Sequence, residues 1–127
     1  MTIYEAVRTA VMGVCSTVGD RVRPDQLAAG DDLPAIVMTV GANVPDAGLD
    51  GIFADRYTVS VTVYSETRAE ADELADELRA LDMEDLDDGS AAWSFFVESE
   101  TRGALLVDSE SSEPTYFVTI TFTVLKC

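Results

Sequence analysis

Histidine is absent from this 127-residue sequence, and its absence removes several kinds of catalysis. Without histidine the chain has neither the commonest general base nor the Ser/His and Cys/His pairs that activate a nucleophile. The commonest metal ligand is missing as well. Its two cysteines, Cys15 and Cys127, are not placed to make a disulfide framework or a metal site. A carboxylate pair is left open, although solvated helix faces explain most of the Asp and Glu residues.

Basic residues are also scarce. There are 8 Lys and Arg residues against 24 Asp and Glu residues, for a net charge of −16, and Lys126 is the only lysine. Because affinity for nucleic acid depends on cationic contacts to phosphate, such a surface repels free nucleic acid. The acidity fits either a solvated surface that aids solubility or adaptation to molar salt, where the screening length falls to about 3 Å. The near-absence of lysine favours a salt-loving, halophilic source.

Long apolar runs and ligand-binding motifs are missing too. No run reaches the roughly 18 apolar residues that a membrane span needs. Glu5 and Arg8 interrupt the apolar start of the chain, which excludes a secretory signal, so we expect synthesis inside a cell and no membrane partner. The sequence has no Gly-rich phosphate loop, no Walker lysine and no calcium loop. We therefore predict no catalytic residues, no bound metal and no cofactor.

What the sequence does contain is a strand followed at once by a helix. Residues Arg56–Tyr64 alternate between two faces and are mostly β-branched or aromatic, which predicts a strand. Thr67 with Glu70 three residues later forms a capping box, which predicts a helix that begins at Arg68. The apolar stripe of this helix is Ala71, Leu74, Ala75, Leu78 and Leu81. Each buried leucine contributes roughly 1.5–3 kcal/mol, so this unit should form the core.

The N-terminal region predicts a second helix and a second strand. Thr2 and Glu5 form another capping box, and apolar residues recur at helical spacing until Gly19, where we expect the helix to end. A short extended piece, 21–24, precedes a polar loop over Asp25–Leu33. The continuous apolar run from Leu33 to Val40 then predicts a strand.

The segment Gly41–Ala54 links the two predicted strands, and its Gly, Pro, Asp and Asn residues predict a loop within a long hairpin. Such a length is well above the usual hairpin loop, and loops of this kind are often functional. Four of its side chains are large and apolar: Val44, Leu49, Ile52 and Phe53. Since monomers rarely leave a large apolar patch open, these residues either fold back on their own core or dock on another chain. They are our candidate subunit or partner interface.

The C-terminal half predicts two further strands, Trp93–Glu98 and Thr115–Leu125, after an acidic connector at Asp82–Ser90. Trp93, Phe95 and Phe96 could line a ligand site, but aromatic strand residues are more often core. Ala104–Val107 is a short strand or a bend, and Asp108–Pro114 is a loop. The order is therefore α-β-β-α-β-β. We predict one α+β domain over residues 1–127, with a mostly antiparallel sheet and two helices packed on one face.

The order of these segments resembles that of a known family. The stretches that carry the resemblance are Asp20–Pro24, Leu33–Val37, Arg56–Tyr64 with its following Ala/Glu-rich helix, and the alternating strand Tyr116–Phe122. In this order and spacing they resemble the tail completion, or tail terminator, proteins of long-tailed viruses and gene-transfer particles. The resemblance spans nearly the whole chain, but Asp82–Glu113 has no counterpart in it.

The resemblance implies a non-enzymatic virion protein. Such a protein forms a homo-oligomeric ring, a hexamer, that caps the tail tube, stops its polymerisation and presents a surface to the head–tail connector. Its partners would be the tail tube protein and the connector, with viral DNA only passing through the lumen. Its place would be the head–tail junction of a virion assembled in the host cytoplasm. From the residues alone, the alternatives are a small-molecule-binding regulatory α+β domain and an enzyme that uses a carboxylate pair.

Overall fold

The computed structural model describes residues 1–26, 32–48, 51–105 and 115–126, and at 42–48, 51–54 and 105 it describes the backbone alone. Its elements in chain order are helix α1 (Ile3–Val14), a 3₁₀ turn (Ser16–Val18), strands β1 (Val22–Pro24), β2 (Ala35–Gly48) and β3 (Gly51–Ser65), helix α2 (Arg68–Arg79), and strands β4 (Asp85–Asp87), β5 (Ala92–Leu105) and β6 (Thr115–Lys126). This arrangement is consistent with the predicted α+β class.

Both helices begin where the sequence predicts. At α1 the capping box is complete, because the Glu5 N–H donates to Thr2 Oγ1 at 3.2 Å and the Thr2 N–H donates to Glu5 Oε2 at 3.0 Å. At α2 the Glu70 N–H donates to Thr67 Oγ1.

At α2 a third residue, Ser65, joins the Glu70 side chain to the N-cap backbone. The fully buried Ser65 hydroxyl donates to Glu70 Oε1 at 2.6 Å and accepts the Thr67 N–H at 3.2 Å. The strand end is thereby joined directly to the helix start.

The predicted end of the first helix is wrong. The α-helix stops at Val14, since Cys15 leaves helical geometry with φ −113° and ψ 69°. The 3₁₀ turn that follows still buries Val18, and Gly19 closes it with φ +58°. The apolar spacing extends from the α-helix into the 3₁₀ turn, and periodicity alone does not distinguish these two kinds of helix.

The sheet contains six strands in the order β1-β2-β3-β6-β5-β4. β1 runs parallel to β2, whereas the pairs β2–β3, β3–β6, β5–β6 and β4–β5 are antiparallel. The predicted element order lacked two strands. β1 was predicted only as an extended piece, and β4 lies inside the stretch predicted as a connector.

One core lies between the helices and one face of the sheet. Buried residues of α1 and α2, including Val7, Val11, Leu74 and Leu78, belong to the same cluster as the inward residues of the strands. Those inward residues are Ile36, Met38, Val59, Val61, Val63, Val118, Ile120, Phe122 and Val124. Trp93 and Phe95 are core residues as expected, with 0% and 2% of their surface exposed. Both helices therefore cover the same face, and no helix of the described residues lies on the opposite face.

Candidate assembly surfaces

The four predicted interface residues belong to the hairpin between β2 and β3. The predicted loop is wrong for most of its length, because β2 and β3 stay paired as far as Gly48 and Gly51. Val44 lies opposite Arg56 and Ile52 lies opposite Ala47, with Phe53 next along β3. Leu49 lies outside the described residues. The pairing contains register shifts between Val40 and Asn43 and between Asp46 and Ala47, which accommodate the Gly and Pro residues within a paired hairpin.

The end of this hairpin extends past its neighbouring strand. β3 pairs with β6 only as far as Asp55, which lies opposite Lys126. Beyond that point, Asp46–Gly48 and Gly51–Ala54 pair only with each other among the described strands. We call these two segments the hairpin arm. At about 3.3 Å per residue it extends roughly 13 Å past the end of β6.

A second surface is the sheet face opposite the helices, which we call the open face. Its centre consists of the outward residues of β3 and β6: Thr58, Ser60, Thr62, Tyr64, Phe117, Thr119, Thr121 and Thr123. All eight are half-buried except Thr58, which is exposed. Thr62 Oγ1 and Thr119 Oγ1 are hydrogen-bonded at 2.8 Å across the two strands. Cross-strand Thr pairs of this kind stabilise a sheet while keeping its surface flat and uncharged.

Phe117 and Gly103 shape one part of the open face. Gly103 on β5 lies directly opposite Phe117 on β6. A Cβ added at Gly103 would lie 2.8 Å from Cζ and 2.9 Å from Cε1 of the Phe117 ring. The ring therefore lies across the backbone of β5 at the place where a side chain is missing, which is a recognised way of covering a glycine in a sheet.

The helix-bearing side of the molecule has a different electrostatic character. Arg102 Nη1 on β5 donates to Asp72 Oδ1 on α2 at 2.9 Å, and Arg79 Nε on α2 donates to Glu100 Oε2 on β5 at 3.1 Å. Arg102 also contacts Glu100, and Arg79 contacts Asp76. The hydrogen bonds from Arg79 and Arg102 lower the pKa of the Glu100 carboxyl. This ionic cluster fastens α2 to the C-terminal half of β5.

Another carboxylate is held near the edge of the sheet. Asp88 Oδ2 accepts the indole N–H of the buried Trp93 at 3.0 Å, and its Oδ1 accepts the backbone N–H groups of Ser90 and Ala91 at 2.8 and 2.7 Å. Only 4% of the Asp88 side chain is exposed. The hydrogen bond from Trp93, followed by those from the two backbone groups and the Ser90 hydroxyl, lowers the pKa of Asp88 well below its ordinary value. All the donors come from its own connector or from β5, so this carboxylate orders the turn into β5.

No metal-binding cluster of three or more His, Cys, Asp or Glu residues occurs in the described part of the chain. A shallow groove of about 370 Å³ lies between α1, the end of α2 and β4–β5, and its acidic residues are Glu84 and Asp85. The Cys15 thiol is buried, and burial followed by the charge of Glu77 raises its pKa to about 12. Such a thiol is protonated at neutral pH and is a poor nucleophile. Across residues 1–26, 32–48, 51–105 and 115–126, no helix is long and apolar enough to cross a membrane.

The sequence singled out one of these two surfaces as a candidate interface, the hairpin segment, because of its apolar residues. The open face could have been found from the alternation in Arg56–Tyr64 and Tyr116–Phe122, whose Thr-rich sides were visible, once both helices were expected on the opposite face. Nothing in the sequence indicated that Phe117 covers Gly103, since that contact depends on the register between β5 and β6.

Comparison with known proteins identifies the family. The model of the family "Tail completion protein gp17" matches residues 2–121. A chain of a solved structure described as "Virion of native gene transfer agent (GTA) particle" has the same fold, with a TM-score of 0.62, 14% identity, and coverage of 98% of this chain and 95% of that chain. No curated protein matches. Because the family model covers nearly the whole sequence, this chain belongs to the tail completion protein gp17 family of structural virion tail proteins.

Proposed function

We propose that this protein is a tail terminator: a hexameric ring that caps the finished tail tube, stops tube polymerisation and joins the tail to the head connector. The observation that carries the proposal is the family match over residues 2–121. Residues 1–127 act as one non-enzymatic domain, in keeping with the single core to which both helices and the sheet contribute. The protein binds copies of itself, the tail tube protein and the connector, and it lies at the head–tail junction of a virion assembled in the host cytoplasm.

The hairpin arm and the neighbouring residues Val44 and Leu49 provide the apolar contacts between subunits. The four residues are those predicted from the sequence: Val44, Leu49, Ile52 and Phe53. Two features support this role. The arm extends past β6, and among the described strands it pairs only with itself, so its backbone lies away from the core that the helices cover. Large apolar residues on a projecting hairpin are the kind that another chain covers.

The acidity suits a ring through which DNA passes. With a net charge of −16 per subunit, a lumen lined by acidic side chains repels the phosphate backbone and keeps DNA from adhering. Replacing lumen-facing acids with lysine should therefore slow DNA ejection. Unchanged ejection would count against a lumen that repels DNA.

Native mass spectrometry combined with tube polymerisation tests the function. We expect the purified chain to form a six-membered ring, and its addition to polymerising tail tube protein to shorten the tubes and leave them with one blocked end. Phe53→Asp should abolish the ring and the blocking, while circular dichroism shows a folded monomer. A wild-type chain that stays monomeric and leaves tube length unchanged would refute the proposal. A ligand-bound dimer would instead support a regulatory domain.

A further inference from the structure

The acidic residues are distributed unevenly over the two sides of the sheet. The chain carries 24 Asp and Glu residues. On the helix-bearing side, α2 alone contributes Glu70, Asp72, Glu73, Asp76 and Glu77. In contrast, the outward residues of β3 from Thr58 to Tyr64, and those of β6 from Phe117 to Thr123, include no acid. The centre of the open face is therefore uncharged on a strongly anionic molecule.

Among the described residues, three carboxylates lie at the margin of this surface: Glu98 on β5, and Asp85 and Asp87 on β4. Glu98, at the β5 irregularity, accepts a hydrogen bond from the Thr123 hydroxyl. Asp85 on β4 accepts the Ser94 hydroxyl at 2.7 Å. The centre between them is Thr, Ser and aromatic. Solvated strand faces in an acidic protein would be expected to carry some of the acidic residues, so the neutral centre points to a covered surface.

Copies of the same chain are the partners for which a neutral surface matters most. Two chains of charge −16 repel each other wherever their acidic surfaces meet, and a foreign partner could instead carry a complementary positive patch. A closed ring also needs two different surfaces on each subunit, because a patch that binds an identical patch gives only a two-fold pair. The hairpin arm offers the second surface, because it extends past β6 and pairs only with itself among the described strands.

We propose that the open face of one subunit receives the hairpin arm of the next subunit, head to tail around the ring. This inference rests on the proposed ring function and names the two halves of its junction. The receiving half is the Thr-rich centre, with the Phe117 ring at Gly103. The inserted half is the arm, whose apolar residues come from the β2–β3 hairpin.

Two variants, each carrying a new acid, test the junction separately. Thr121→Glu places a charge at the centre of the open face, and Phe53→Asp places one on the arm. The matched control is Thr17→Glu, which adds the same charge at an exposed threonine in the 3₁₀ turn. We expect both junction variants to lose the ring and the control to keep it in native mass spectra. If Thr121→Glu proves unfolded, Thr58→Glu probes the same face at an exposed position.

Mixing the two junction variants gives the decisive result. Thr121→Glu retains a working arm and Phe53→Asp retains a working face, so exactly one kind of junction can form between them. We expect an equimolar mixture to give one-to-one heterodimers and no larger species, while each variant alone stays monomeric. Pairing of Phe53→Asp with itself would show that faces bind faces, and a ring that survives Thr121→Glu would show that the open face contacts something else. A mixture that stays monomeric would also overturn the inference. Any of these results beside a wild-type ring that blocks tubes would leave the proposed function standing.

Discussion

The contact between Gly103 and Phe117 allows one residue of the open face to be tested by a matched pair of substitutions. Gly103→Ala and Gly13→Ala add the same methyl group. Neither glycine has a left-handed φ, so alanine fits both backbones. At Gly13, an exposed position in α1, nothing lies within 4 Å of the added Cβ. At Gly103 the Cβ would meet the Phe117 ring at 2.8 Å, so the ring has to move.

The magnitudes decide the expected signs. Replacing glycine by alanine in a helix should raise the free energy of unfolding by about 1 kcal/mol at Gly13. At Gly103 a similar gain of about 0.4–1 kcal/mol, from the reduced entropy of the unfolded chain, opposes an overpacking cost of about 1–3 kcal/mol. We therefore expect Gly103→Ala to destabilise the subunit by about 1 kcal/mol, so that the two variants differ by about 2 kcal/mol. Urea unfolding followed by circular dichroism, in the Phe53→Asp background to avoid ring formation, measures the difference.

A third variant shows whether the Phe117 side chain causes the lower stability of Gly103→Ala. Once Phe117→Ala has removed the aromatic ring, Gly103→Ala should become neutral or stabilising, and the two substitutions should be non-additive by about 1 kcal/mol or more. Equal stabilisation by Gly13→Ala and Gly103→Ala would refute the placement of the Phe117 ring over β5. It would also remove Phe117 from the proposed receiving surface of the junction.

Three further predictions concern charge, titration and reactivity. The hydrogen bonds to Asp88 lower its pKa below the ordinary value of 3.8, so they stabilise the fold fully above about pH 4 and less as the pH falls below that. Asp88→Asn should therefore flatten the pH dependence of the free energy of unfolding in urea below about pH 4, and an unchanged slope would contradict this role of Asp88. Cys15 is buried and its pKa is raised to about 12, so at pH 8 its thiol should react with iodoacetamide only as fast as the fold opens. The rate is measured in a Cys127→Ser variant, in which Cys15 is the remaining cysteine, and labelling at the rate of a free thiol would refute its burial. Because each subunit has a net charge of −16, the rings should dissociate more readily in dilute buffer than in concentrated salt. Equal ring stability under the two conditions in sedimentation experiments would exclude a role for charge repulsion.

Local sequence signals predicted the elements whose causes are local. The capping box at Thr2 and the Thr67 cap, whose Glu70 side chain bonds Ser65 instead, both lie within four residues of the helix start they define, and both helices begin there. The alternation in Arg56–Tyr64 and Thr115–Leu125 gave the correct inward sides because each strand lies over one continuous core.

Non-local pairing accounts for what the sequence did not predict. β1 and β4 have three residues each and exist because Val22 lies opposite Ile36 and Leu86 lies opposite Trp93. The glycine and proline content of the β2–β3 hairpin correctly signalled irregular backbone, but the irregularity consists of register shifts within paired strands rather than a loop. Of the candidate interface, the sequence supplied the apolar residues, and the register between strands supplied the neutral face.

The uncharged centre of the open face limits how far the salt dependence of the ring should extend. Asp46 and Asp50 in the hairpin sequence meet no carboxylate on that centre, so repulsion between subunits comes from acidic groups on the helix-bearing sides. Such separated charges are largely screened once the Debye length, about 30 Å at 0.01 M and about 10 Å at 0.1 M, is shorter than their separation. Ring stability should therefore rise steeply up to a few tenths molar salt and then level off. Acids that face each other across the junction would keep the stability rising towards molar salt, so a continued rise would contradict an acid-free receiving face even if the ring is real.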